Sequence, residues 1–257
     1  RGIEKIDIQS SDDIILEDAQ NTSNDEQSDD CMEESVKLVH KFFEGKNQMK
    51  EIATASDVDI EEKLLKLFNF IDKKPNVVKM LKELEAFDYF TFIHSFNVTV
   101  LTTIMGTKLG WDEKKLLEAG LAAMLHDIGK LDIPIEILNK EEKLTSEEFD
   151  LIKQHTRFGF ERLIMEPNIP YEVALAALLH HEALDGGGYP LGVKGNKITD
   201  VAKLLAVVDK FEAITGERPY RAKTIPPDEA LEFLYKMSYS VIDGDIVNLF
   251  RKSMVFY

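Results

Sequence analysis

From Glu34 onward, apolar residues recur at helical spacing. Val36, Val39 and Phe43 form one stripe, and Leu64, Leu67, Phe68 and Ile71 form a second. A third stripe, Val77, Met80, Leu81 and Leu84, follows Pro75. Further helices are predicted over about 91–109, 113–126, 145–165, 171–181, 199–215, 227–239 and 244–253, separated by short polar breaks. No stretch alternates apolar and polar residues between hairpin turns, so very little strand is expected and the fold class is all-α. Residues 1–35 lack the pattern. Their central "SSDDIILEDAQNTSNDEQSDD" is polar and acidic and reads as a flexible tail or linker, with the segment around Ile3 to Ile8 a candidate remnant of an upstream strand. The predicted layout is an acidic tail over 1–35, a small helical and regulatory region over 36–74, and a helical domain over 75–257.

Composition narrows the class. The 257 residues are 44% hydrophobic, enough for a packed core. The longest apolar runs, "LAAMLH" and "VALAALLHH", fall well short of the roughly 20 residues that span a bilayer, and no signal-peptide core opens the chain. A cytoplasmic protein without a membrane segment is expected. Cys31 is the single cysteine, so no intrachain disulfide forms, which fits a reducing compartment. The net charge is −16, but residues 1–35 hold 12 acids and 2 bases, leaving the remainder, with 35 acids and 29 bases, at only −6. That balance argues against gripping long nucleic acid through its phosphates, while a small anion is allowed where local cations gather.

Five of the six histidines, all but His40, fall between residues 94 and 181, each on or at the end of a predicted helix. "LLEAGLAAMLHD" is apolar almost all round and ends in His126 and Asp127; "VALAALLHHE" ends in His180 and His181; "VAKLLAVVDKF" carries Asp209. Taken singly, a helical His is most often a hydrogen-bonded core residue and a lone Asp a cap or surface group. Together, His94, His126, Asp127, His155, His180, His181 and Asp209 supply seven nitrogen and oxygen donors and no sulfur, a set suited to Fe, Mn or Zn. Buried carboxylates demand a cationic partner, and seven donors are most economically explained by two metals with open positions. Neighbours on a helix point about 100° apart, so His180 and His181 reach one ion only at a helix end, or else they serve different ions or roles. Asp127, with two oxygens, is the candidate bridge.

These residues resemble the HD-GYP phosphohydrolases, a branch of the HD superfamily. "HDIGK" at 126–130 is similar to the HD signature, and "HHEALDGGGYP" at 180–190 to the HHExxDGxGYP signature. "LDIPIEILNKEEKLTSEEFDLIKQH" resembles the segment between them, and "LLAVVDKFEAITGERPYR" the closing segment. The resemblance covers residues 75 to 253, about seven tenths of the chain. It implies an HD-superfamily helical bundle with a binuclear centre. His94, His126, Asp127 and Asp209 would hold the first metal, and His155, His180 and His181 the second, with Asp127 bridging. The ions would be Fe first, with Mn or Zn as alternatives.

The resemblance further implies a cytoplasmic bacterial signalling enzyme that hydrolyses cyclic di-GMP, mainly to linear pGpG. A hydroxide bridging two metals would attack, with Asp127 as a catalytic residue and Lys130 donating to a phosphate oxygen. Lys130 read alone is a lysine favoured at a helix C-terminus. Asp185, Gly186, Gly188, Tyr189 and Pro190 form a candidate substrate loop, since glycine permits close backbone approach and proline stiffens the exit. Arg218 and Arg221 are candidate phosphate contacts, because guanidinium forks match phosphate oxygens. Some family members carry a Glu one turn before the first His and bind a third metal; here Phe90 stands there, so two metals are expected, with poor onward cleavage to GMP. Two other readings stay open: a hydrolase of another cyclic dinucleotide or nucleotide, and a cyclic di-GMP-binding adaptor with little turnover, serving a signalling partner or acting as a homodimer.

Overall fold

A computed structural model describes residues 37–44, 48–216 and 225–253. The tail over 1–35, Val36, Cys31, Arg218 and Arg221 lie outside the described residues. The chain winds through helices α1 (37–44), α2 (Gln48–Ala55), α3 (Ile60–Asp72), α4 (Pro75–Phe87), α5 (Tyr89–Lys108) and α6 (Glu113–Leu125). A short 3-10 helix, Ile128–Asp132, leads into α7 (Ile135–Leu138), α8 (Ser146–Lys153), α9 (His155–Ile164) and α10 (Tyr171–Leu179). After a loop with one 3-10 turn come α11 (Asp200–Thr215), α12 (Pro227–Met237) and α13 (Gly244–Ser253). Among the described residues there is no strand, only an isolated bridge between Ser238 and Ile242.

The axis of the bundle is α5, packed against α2, α3, α4, α6, α11 and α13. It is buried on nearly every side from Thr91 to Gly106, which fits its apolar surface. Three of its threonines find partners within the helix, as Thr99, Thr103 and Thr107 each donate to the carbonyl four residues back. The segment read from sequence as a separate N-terminal region enters the same core: Val39, Phe42, Ile52, Leu64 and Leu67 join Phe96 and Leu101 in one cluster. The Phe96 ring lies 5.3 Å from that of Phe42 and 5.9 Å from that of Phe68, so α1 and α3 are tied to the central helix. No helix among the described residues is long and apolar enough to cross a membrane.

Where sequence periodicity predicts one helix over 145–165, the chain forms two, α8 and α9, divided at Gln154. The His155 ring nitrogen Nδ1 takes the Ile152 carbonyl at 2.7 Å, and the Thr156 hydroxyl takes that of Lys153 at 3.0 Å. Side chains thus occupy acceptors that a continuing helix would give to backbone N–H groups. The same substitution ends α6 before His126 and α10 before His180, earlier than periodicity predicts.

The 3-10 helix is pinned to α9 through two glycines. A Cβ on Gly129 would come within 2.0 Å of the His155 carbonyl oxygen and 2.4 Å of the Gly159 amide nitrogen, both backbone atoms that cannot swing aside. Gly129 therefore allows the turn carrying Asp127 to lie directly against the helix carrying His155. Gly129→Ala should cost about 1–3 kcal/mol or more, as overpacking does. In thermal denaturation that is a Tm lowered by several degrees, and a Tm unchanged from wild type would refute the close approach.

Candidate metal centre

Each histidine is presented by a helix end or by a substitute for one. His126, His155 and His180 follow the last turns of α6, α8 and α10, and their Nδ1 atoms donate to the carbonyls of Ala123, Ile152 and Ala177 at 2.7, 2.7 and 2.8 Å. A carbonyl only accepts, so Nδ1 carries the proton, and in the neutral ring Nε2 is left with a lone pair pointing inward. His94 sits within α5, where backbone carbonyls are already engaged. There the carboxylate of Glu212 on α11 accepts the hydrogen bond from Nδ1–H instead. Glu212 is itself held by Asn97 Nδ2, which donates to Oε1 at 2.9 Å.

The inward donors gather in two groups. His94, His126 and Asp127 form one, and His155, His180 and His181 the other, with ligand atoms in each lying within 4.8 Å of one another. Asp209 adjoins the first group, its Oδ1 3.1 Å from His94 Nε2 and 3.9 Å from His126 Nε2. Asp127 divides its oxygens between the groups. Oδ2 lies 3.6 Å from His94 Nε2 and 3.3 Å from His126 Nε2, while Oδ1 lies 3.3 Å from His155 Nε2 and 4.0 Å from His180 Nε2. The adjacent His180 and His181 do turn toward each other, with ring centroids 4.1 Å apart, because α10 has ended.

Protein groups alone leave this arrangement unsatisfied. The buried His126 Nε2 has no hydrogen-bond partner among the described residues and faces a carboxylate oxygen. His155 Nε2 and His180 Nε2 face each other at 3.2 Å although both Nδ1 atoms already hold the protons. Burial lowers the pKa of both rings, that of His180 well below the ordinary imidazole value, so protonation is a poor remedy. Burial also works against ionised Asp127 and Asp209, yet Lys130 and His126 hold the first well below the usual carboxylate range, and His94 does the same for the second. Converging lone pairs and carboxylates with separations near the ~3 Å between neighbouring ligands of one ion at about 2.1 Å fit a divalent cation.

Residues 67–246 match the HD domain family. The chain belongs to this family, in its HD-GYP branch. The HD-GYP domain is 35% identical over 194 residues to a cyclic di-GMP phosphodiesterase of Pseudomonas aeruginosa, covering 74% of this chain and 45% of the relative. It is 33% identical over 173 residues to a 3′3′-cGAMP-specific phosphodiesterase of Vibrio cholerae, covering 67% of this chain and 37% of the relative. The chain thus spans less than half the length of these two relatives. Among solved structures, an HDGYP protein of Bdellovibrio bacteriovorus superposes with a TM-score of 0.56 at 20% identity, over 91% of this chain and 74% of that one. Family and donor set together indicate divalent metal binding.

In the HD-GYP domain the loop after His181 folds back over the second group. Tyr189 N–H donates to the His181 carbonyl at 3.2 Å, and the two rings lie 4.8 Å apart. A Cβ on Gly188 would meet the Ala183 amide nitrogen at 2.3 Å and Glu182 Cα at 2.5 Å, so this close fold-back requires glycine. Gly186 adopts φ +82°, and Asp185 Oδ1 accepts the Gly187 N–H at 2.7 Å, so both shape the turn. The turn is closed beyond Pro190 by Glu182, whose Oε1 accepts the N–H groups of Leu191 and Gly192 at 2.7 and 3.1 Å. Lys130 reaches inward and donates to Asp127 Oδ2 at 2.6 Å. Phe90 is half exposed at the start of α5.

Glu212, Asn97 and Glu182 are the functional candidates that sequence reasoning passed over. Glu212 had a readable signal. In "VVDKFEAIT" it stands three residues after Asp209, hence on the same face of a buried helix, where a second acid needs a partner as much as the first.

Proposed function

We propose that the HD-GYP domain is a cytoplasmic metal-dependent phosphodiesterase that hydrolyses cyclic di-GMP, mainly to linear pGpG. What carries the reading is the division of Asp127 between two imidazole groups, Oδ2 toward His94 and His126 and Oδ1 toward His155 and His180. His94, His126, Asp127 and Asp209 would hold one divalent cation and His155, His180 and His181 the other, with Fe the first choice and Mn or Zn alternatives. Bound there, the pair would supply a nucleophilic water at neutral pH and neutralise the phosphate under attack. Water adding at phosphorus and breaking one P–O3′ bond leaves a 5′-phosphate and a 3′-hydroxyl, the ends of pGpG.

The chain's own groups bind and orient. Burial, with Asp127 and Asp209 nearby, raises the Tyr189 phenol, so it stays protonated and donates to a phosphate oxygen. Lys130, already on Asp127, turns its ammonium to the phosphate as substrate enters. Asp185, Gly186, Gly188 and Pro190 hold Tyr189 over the site, and Arg218 and Arg221 complete the anion contacts. Phe90 offers no donor, which limits the site to two metals and disfavours onward cleavage to GMP. A second reading, hydrolysis of 3′3′-cGAMP, is favoured by the similarity to the Vibrio cholerae enzyme of that specificity.

Protein purified without oxygen is expected to hold two metals per chain by elemental analysis. Given cyclic di-GMP, 3′3′-cGAMP and cyclic di-AMP in parallel, it should convert the first fastest, with pGpG as the mass-identified product. Failure on all three while a relative works under the same conditions would overturn the reading, and a third metal would overturn the role given to Phe90.

A further inference from the structure

We propose that Lys153 binds the second phosphodiester of the cyclic dinucleotide, the one that is not cleaved; the assignment rests on the function proposed above. Lys153 is the last residue of α8, two before His155, and it was not among the residues marked from sequence. Its ammonium lies 5.8 Å from the centre of the Tyr189 ring, and that ring in turn lies 4.8 Å from the ring of His181. The cation and the second imidazole group thus both lie against one aromatic ring. The ammonium also lies 4.7 Å from the centre of a second ring, Phe149, and donates to Asp150 Oδ1 at 2.7 Å.

Charge at the centre makes this cation stand out. Asp127, Asp209, Glu182 and Glu212 are all buried there, so a substrate with two negative phosphates needs positive charge at the rim as well as at the metals. Lys130, beside Asp127, is taken up by the phosphate under attack, and Lys210 is neighboured by Asp209. Lys153 is paired with Asp150, a side chain 67% exposed, and an exposed ion pair of this kind contributes little and exchanges readily. An incoming phosphate replaces it at little cost. The two phosphodiesters of a cyclic dinucleotide sit on opposite sides of its macrocycle, so when one lies over the metal ligands the other falls outside them. Lys153 stands beside Tyr189 at the edge of the second imidazole group, within reach of that outer phosphate.

The test compares metal-loaded wild type, Lys153→Met and Lys153→Arg on cyclic di-GMP and on bis(p-nitrophenyl) phosphate, a diester with no second phosphate. Methionine keeps an unbranched stem against Phe149 and Tyr189 and removes only the charge. Lys153→Met should raise KM for cyclic di-GMP about tenfold, as loss of a charge-assisted contact does, with kcat changed by less than about twofold. The ratio of kcat/KM for cyclic di-GMP to that for the small diester should fall by the same factor, and Lys153→Arg should restore most of it. An unchanged ratio overturns the assignment, whether both activities persist or both fall together, the latter marking Lys153 as mere support for the centre. Wild type that cleaves the small diester but no cyclic dinucleotide overturns instead the substrate reading on which the assignment rests.

Discussion

Asp127→Ala is expected to reduce hydrolysis of cyclic di-GMP by about a thousandfold or more and to leave the protein unable to retain its full metal complement. Its two oxygens approach both imidazole groups closely, Oδ2 3.3 Å from His126 Nε2 and Oδ1 3.3 Å from His155 Nε2, whereas Asp209, which also spans them, comes only to 4.0 Å of His181 Nδ1 with its Oδ2. Alanine removes a donor from each side at once and frees Lys130 from its 2.6 Å contact. Metal-assisted charge stabilisation is worth several kcal/mol in the transition state, and each 1.36 kcal/mol is a factor of ten, which gives the magnitude. Two measurements check it. Turnover should fall to near background, and added Mn or Fe should raise the Tm of wild type well above any rise in the variant, since a ligand stabilises only the fold that binds it. The same variant separates the enzyme from an adaptor. Loss of metal and turnover together with the cellular effect supports the enzyme, whereas retained partner binding and cellular effect would show that turnover is incidental.

The residues that bear donors were legible in the sequence because burial makes ionisable groups conspicuous. His126, Asp127, His180, His181 and Asp209 interrupt or end apolar helices, and such groups are not kept inside without partners. Periodicity also placed α5, α6, α10, α11, α12 and α13 to within two residues or so. It could not show the break at Gln154. That break arises when His155 and Thr156 turn their side chains onto the carbonyls of Ile152 and Lys153, a choice made by the site and not by helix propensity. Nor could it show the backbone contact of Gly129 with α9 or the grip of Glu182 on the loop, since each joins atoms that no local pattern brings together. Tertiary placement decided them.

Substituting Glu212 is expected to weaken metal binding without touching a ligand. In α5 the ring of His94 has no spare carbonyl at a helix end, and Glu212, anchored by Asn97, substitutes for one. It thereby fixes Nδ1 as the protonated nitrogen and points Nε2 at Asp127 and Asp209, 3.6 and 3.1 Å away. Burial opposes a charged His94, yet Glu212 and Asp209 push its pKa up to about 9, a measure of how strongly these carboxylates polarise the ring. Outer partners of this type are worth 10- to 100-fold in metal affinity or activity. Glu212→Gln, which keeps an acceptor and loses the charge, should therefore cost about tenfold in affinity, and Glu212→Leu, which loses both, about a hundredfold. Competition against a chelator of known affinity reads the difference directly. At saturating metal, KM for cyclic di-GMP should hardly change if Glu212 acts only through His94, whose Nδ1 it holds on the side opposite Nε2. A shift in KM with metal affinity intact would place Glu212 on the substrate side and break the link to His94.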